Sequence, residues 1–176
     1  MGWSPHHLAR GGGRLTKRER RVLILGYGNL SRQDDGLGFH IVNAVARRLG
    51  RESLASDEDG LSDLGRPVDL AFVHQLVPEL AETLAGYDEV YFVDAHTGVH
   101  EEIHWETLKP GYAPSSFTHH LTPAALLELA SVLGGHAPEG HLVSVRGYRF
   151  GFGMELSLEA QRLCEAAAEQ IIARLL

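Results

Sequence analysis

The sequence predicts an α/β fold: a three-layer sandwich with a mainly parallel, twisted sheet of about five strands and helices on both faces. Three observations carry that prediction. Short apolar runs of β-forming residues recur along the chain. Segments with helical apolar spacing separate most of them. The first run, VLILGY (22–27), lacks polar alternation, so both of its faces need cover. Strands alternating with helices pair in parallel through crossovers. The 176 residues divide into a flexible basic tail over 1–20 and one α/β domain over 21–176.

After the first strand, Leu37, Ile41, Ala44, Val45 and Leu49 share one face of a helix over 36–49. The polar, turn-rich stretch 50–67 reads as a loop with a solvated acidic surface. VDLAFVHQL (68–76) is the second strand, and a short helix over 78–86 follows Pro78. EVYFVDAHT (89–97) is the third strand and carries Asp94 near its end; EIHWETL (102–108) is the fourth. A helix over 121–134 starts with Thr122 as cap and Pro123 in its first turn. HLVSVRGY (141–148) is the fifth strand. A long helix over 157–176 closes the chain, with Ser157 at its cap. GYRFGFGMELS (147–157) reads as a mobile loop whose aromatic residues either hold an extended peptide or close the sheet edge.

Composition narrows the function. The net charge is −7. Residues 1–22 carry six Lys/Arg and one acid, a net of +5; the rest holds 10 basic and 22 acidic residues, a net of −12. A domain so acidic repels phosphates, which argues against a nucleic-acid partner. No run approaches the ~20 apolar residues of a membrane span, and the amino terminus lacks the apolar core of a secretory signal. The expected location is cytoplasmic. A single cysteine, Cys164, excludes an internal disulfide; it lies on an apolar helical stripe and reads as core rather than nucleophile. The chain has no G-x-S-x-G elbow and no H-E-x-x-H pair. DDG (34–36) is similar to one half of the aspartic-protease signature, but no second copy exists.

The loop GYGNLSRQDDGLG (26–38) carries the chemistry. A strand followed by glycines and a helix invites a dinucleotide reading, yet Ser31 stands where the third glycine of G-x-G-x-x-G belongs. Asp34 and Asp35 would repel a pyrophosphate at the helix start. Ligands of such folds bind beyond the carboxyl ends of the strands, where the strand order reverses. Asp34 and Asp35, Asp94, and the His119-His120 pair all fall on that rim. Neighbouring strands lie ~4.8 Å apart. If the first and third strands are neighbours, their terminal carboxylates converge, and a histidine completes an O/O/N set. Such a set suits a borderline divalent ion such as nickel, zinc or iron.

Three motifs, GYGNLSRQDDGLG, HQLVPELAETLAGYDEVYFVDA and THHLTPAALLELASVLGG, resemble those of the hydrogenase maturation proteases. The resemblance is closest to the branch serving NAD-reducing or bidirectional nickel–iron hydrogenases, and runs from about Val22 to the C-terminus. It implies an endopeptidase that removes the C-terminal extension of a hydrogenase large-subunit precursor after nickel insertion. It implies Asp35, Asp94 and His119 as metal-contacting and catalytic residues, with His120 as an alternative to His119. Asn29 and Asp34 would support them. The loop acid is glutamate in many relatives and is one methylene shorter here. Nickel would arrive with the substrate rather than stay bound, and the enzyme would act as a monomer. Hydrolysis through a metal-activated water and general-base attack by Asp34 or Asp35 are both open. The alternative reading is a non-catalytic divalent-metal-binding accessory protein in hydrogenase assembly.

Overall fold

The computed structural model describes residues 18–112 and 120–176. Five strands form one sheet: β1 (Val22–Tyr27), β2 (Val68–Val73), β3 (Glu89–His96), β4 (Ile103–Leu108) and β5 (Glu139–Arg146), in spatial order β2-β1-β3-β5-β4. All pairings are parallel except β4 with β5, which is antiparallel. The expected sandwich is therefore present, with one antiparallel edge. Four helices cover it: α1 (Leu37–Arg48), α2 (Leu80–Leu84), α3 (Pro123–Gly134) and α4 (Leu158–Leu175). Helices α1 and α4 pack together, as do α2 and α3.

Alternation along β1 assigns its side chains to two cores. Val22 and Ile24 pack with Ile41 and Val45 of α1 and with Leu163, Ala167 and Ile171 of α4. Leu23 and Leu25 pack with Leu80 and Leu84 of α2 and with Leu126 and Ala130 of α3. All four strand residues are buried, so the apolar run has cover on both faces. Cys164 is buried in the α1/α4 core, and burial pushes its thiol up to about 12; it is core, not a nucleophile.

Both expected helix caps form. The Thr122 hydroxyl accepts from Ala125 N–H at 3.1 Å, and the Ser157 hydroxyl accepts from Ala160 N–H at 3.2 Å. The boundaries that move have local causes. Pairing with β3 carries β5 back to Glu139, which lies beside Glu89, and β4 reaches as far as Gly140 beside Leu108. Strand β2 stops at Val73, beyond which no residue of β1 remains to pair with it. The chain leaves β1 for α1 and β2 on one side, then crosses to β3 on the other. The order thus reverses between β1 and β3, and the expected neighbour relation holds, with Gly26 beside Val93. No described helix is long and apolar enough to cross a membrane.

Candidate functional site

The loop after β1 folds as it does because glycine sits at two tight positions. Gly28 has φ +141°, and a Cβ there would lie 2.2 Å from the Asp35 carbonyl oxygen. At Gly38 a Cβ would lie 2.7 Å from the Val93 carbonyl oxygen and 2.8 Å from Tyr27 N. The glycines let α1 press against β1 and β3; they do not form a phosphate cradle. Asn29 closes the turn: its side-chain oxygen accepts from Ser31 N–H at 2.9 Å, and its own N–H donates to Asp35 Oδ2 at 3.0 Å. The Asp35 carboxylate is thus held by a backbone N–H of its own loop.

A 3₁₀ turn (Gln33–Gly36) then places Asp34 and Asp35 in opposite surroundings. Asp34 is fully buried. It accepts from Ser157 N–H (2.8 Å), Ser157 Oγ–H (2.6 Å), Tyr148 N–H (2.8 Å) and Arg149 N–H (2.9 Å). Burial alone would raise its pKa, but the Ser157 hydroxyl and the three amides outweigh it and hold the carboxyl below its ordinary value. A carboxylate so placed is a structural anchor and a poor base. The segment 147–157, expected as a mobile loop, is pinned by those bonds. It is held further by Gln33 N–H to the Gly153 carbonyl (2.8 Å) and Gly151 N–H to Gln33 Oε1 (3.0 Å). Of its aromatic residues, Tyr148 packs against the α1/α4 core, while Phe152 is fully exposed.

Asp35 faces the other way. It lines a cleft of about 690 Å³ together with Tyr27, Asn29, Arg32, His74, Asp94 and His120. Two hollows beside the 50–67 loop are smaller, about 320 and 470 Å³, and no histidine lines them. The cleft lies beyond the carboxyl ends of β1, β2 and β3, at the reversal of strand order, where the topology leads one to look. Asp94 is half-buried near the end of β3. Its Oδ1 accepts from Ala95 N–H at 2.7 Å. Burial pushes its carboxyl up to about 7, against the Ala95 amide and the Tyr27 hydroxyl, which favour the charged form; the charge of Asp35 adds to the rise. The two acids therefore share one field. Burial and the neighbouring Asp94 raise the Tyr27 pKa, so its hydroxyl stays protonated beside that carboxylate.

The sequence reading missed Tyr27, Arg32 and His74. Tyr27 was legible in principle: Leu23, Leu25 and Tyr27 alternate onto one face of β1. Arg32 and His74 have no periodic signal. His119 lies outside the described residues, so its place is not part of the geometry. His120 is exposed on the cleft wall.

No protein-family model matches the chain, and a search of curated proteins returns no match. Solved structures do match. A hydrogenase maturating endopeptidase, HybD from E. coli, is 25% identical with a TM-score of 0.59, over 88% of this chain and 91% of that one. The chain has the fold of the hydrogenase maturation proteases. The [NiFe] hydrogenase maturation protease HycI from Thermococcus kodakarensis is 22% identical with a TM-score of 0.58, over 89% and 92% of the two chains. A hydrogenase 2 maturation peptidase from a Thaumarchaeota archaeon is 22% identical with a TM-score of 0.57, over 89% and 98%. The family resemblance of the three motifs thus agrees with the three-dimensional similarity. The expected peptidase class agrees with it as well.

Proposed function

We propose that the protein is an endopeptidase that removes the C-terminal extension of a nickel–iron hydrogenase large-subunit precursor after nickel insertion. From its motifs we assign it to the branch serving NAD-reducing or bidirectional hydrogenases. One observation carries the reading: Asp35 and Asp94 meet on one cleft, and no ion pair reaches either among the described residues. The charge of Asp35 adds to the rise of the Asp94 pKa, and a further cation in the cleft would favour both carboxylates. In this reading the cation is substrate nickel, contacted by Asp35, Asp94 and one histidine of the His119-His120 pair. Three ligands leave positions for substrate cysteines or water. A precursor without nickel would bring the same peptide but not the charge that relieves the pair, so binding would be weak.

Each residue then has a defined task. The Asn29 N–H fixes Asp35, and the Ala95 N–H holds Asp94. Water attacks the peptide bond either activated by the ion or deprotonated by Asp35. Asp34 is no candidate for that base, because four donors already occupy its oxygens. The same reading gives a cytoplasmic monomer, which light scattering checks. The deciding experiment incubates purified protein with nickel-loaded and nickel-free precursor. Only the loaded form is expected to lose its C-terminal peptide. Equal cleavage of both would remove the nickel checkpoint. Cleavage of neither, with nickel still bound, would leave the metal-binding accessory protein as the better account.

A further inference from the structure

The connection from β3 to β4 and the strand that follows read HTGVHEEIHWE (96–106), with three histidines and three glutamates in eleven residues. None of them lines the cleft described above. The segment is folded back on itself. His96 Nδ1 accepts from Gly98 N–H at 3.0 Å, so its other ring nitrogen carries the proton and donates to the Glu101 carbonyl at 2.8 Å. That bond fixes the backbone of Glu101. The rings of His100 and His104 stack at 4.0 Å between centroids, only 8° from parallel. His104 Nδ1 lies 3.0 Å from Glu101 Oε1.

We propose that His100, Glu101 and His104 form a second binding site for a borderline divalent transition ion, separate from the cleft. One ligand atom from each lies within 4.8 Å of the others, and no other such group occurs among the described residues. A Glu101–His104 ion pair alone would explain one contact. The second imidazole, stacked face to face on the first, adds a further donor to the group. Two imidazoles and a carboxylate offer one ion three donor atoms. The donor set selects zinc, nickel or cobalt over magnesium or calcium, which prefer oxygen throughout. An ion on His104 Nδ1 would leave Nε2 on the side of Glu106, whose Oε2 lies 3.7 Å away, beyond hydrogen-bond distance. A carboxylate behind a ligating imidazole is the usual means of fixing its tautomer and raising its basicity. His100 and Glu101 are exposed, so the remaining coordination positions are open to water or to a donor from another molecule.

Titration of the full chain with Zn²⁺, followed through histidine side-chain resonances in NMR, tests the site. The His100 and His104 signals are expected to move and saturate together, in the wild type and in Asp94→Asn alike. His104→Ala should weaken the ion's effect on His100 about tenfold or more, and Glu106→Gln several-fold. Glu101→Gln, which keeps shape and removes charge, serves as the second ligand variant. Signals from His100 that stay unmoved, or that respond equally in His104→Ala, would overturn the proposal. Neither result depends on whether the chain cleaves a precursor.

Discussion

At the amino end of the strands, Asp69 is buried beside Arg21, with their charged groups 3.2 Å apart, and also accepts from the Tyr87 hydroxyl and the Gly65 and Arg66 amides. Glu89, two strands away across β1, is buried against Arg20, the Tyr91 hydroxyl and His141. At the carboxyl end, no described cation forms an ion pair with Asp35 or Asp94, although Arg32 lines the same cleft. For Asp69, hydrogen bonds from Tyr87, Gly65, Arg66 and Arg21 overcome the burial that would raise its pKa, and hold it low. For Asp94, burial wins and the carboxyl rises to about 7. The same residue type, buried in one sheet, is satisfied at one end and left in deficit at the other. Charge deficit costs stability, and a fold retains it where a ligand is to supply the missing charge.

Substitutions can break that comparison. The largest effect is expected at Asp94→Asn. It should reduce cleavage of nickel-loaded precursor by about 10²–10⁴-fold, the usual span for losing a group that acts on the reacting centre. The melting temperature should hold or rise, because a strained charge is removed. A clear fall in melting temperature with cleavage intact would make Asp94 a structural acid like Asp69. Next is Asp34→Ala, which leaves the Ser157, Tyr148 and Arg149 donors without their acceptor. Urea unfolding should show a loss of about 3 kcal/mol.

The smallest effect is the acid response of Asp69. Its folded pKa lies below the ordinary 3.8, so its stabilising contribution is complete above the unfolded value. It is lost as pH falls through the lower folded one. Asp69→Asn should therefore flatten the acid limb of a stability–pH curve below about pH 4 while lowering the plateau at neutral pH. An unchanged limb would mean that the amino end is not satisfied in the way described.

The parts legible in the sequence are those written in local periodicity. The buried run of β1, the Thr122 and Ser157 caps and the apolar stripe of α1 needed only neighbours a few residues away. That an aspartate of the first loop and Asp94 share a cleft was legible because strand ends in a doubly wound sheet converge whatever lies between them. The role of Asp34 was not legible. Its partners sit 114 to 123 residues later, and nothing in DDG distinguishes an inward carboxylate from an outward one. The pinned 147–157 segment was misread for the same reason, since its glycines and aromatics look like a free loop until the anchor is known. Of the cluster, His104 was hidden inside an ordinary strand reading of 102–108, and His100 and Glu101 lay in the unassigned connection before it.

The bond between Asp34 and Ser157 also sets an order of events. The turn that carries Asp35 emerges early in synthesis, whereas the residue that locks its neighbour emerges more than a hundred positions later. Any nascent fragment that stops short of Ser157 lacks the latch. Contacts this far apart in sequence form late in folding. A ribosome-bound intermediate would thus hold its acids unarranged, and competence to cut would begin only once the C-terminal helix has docked.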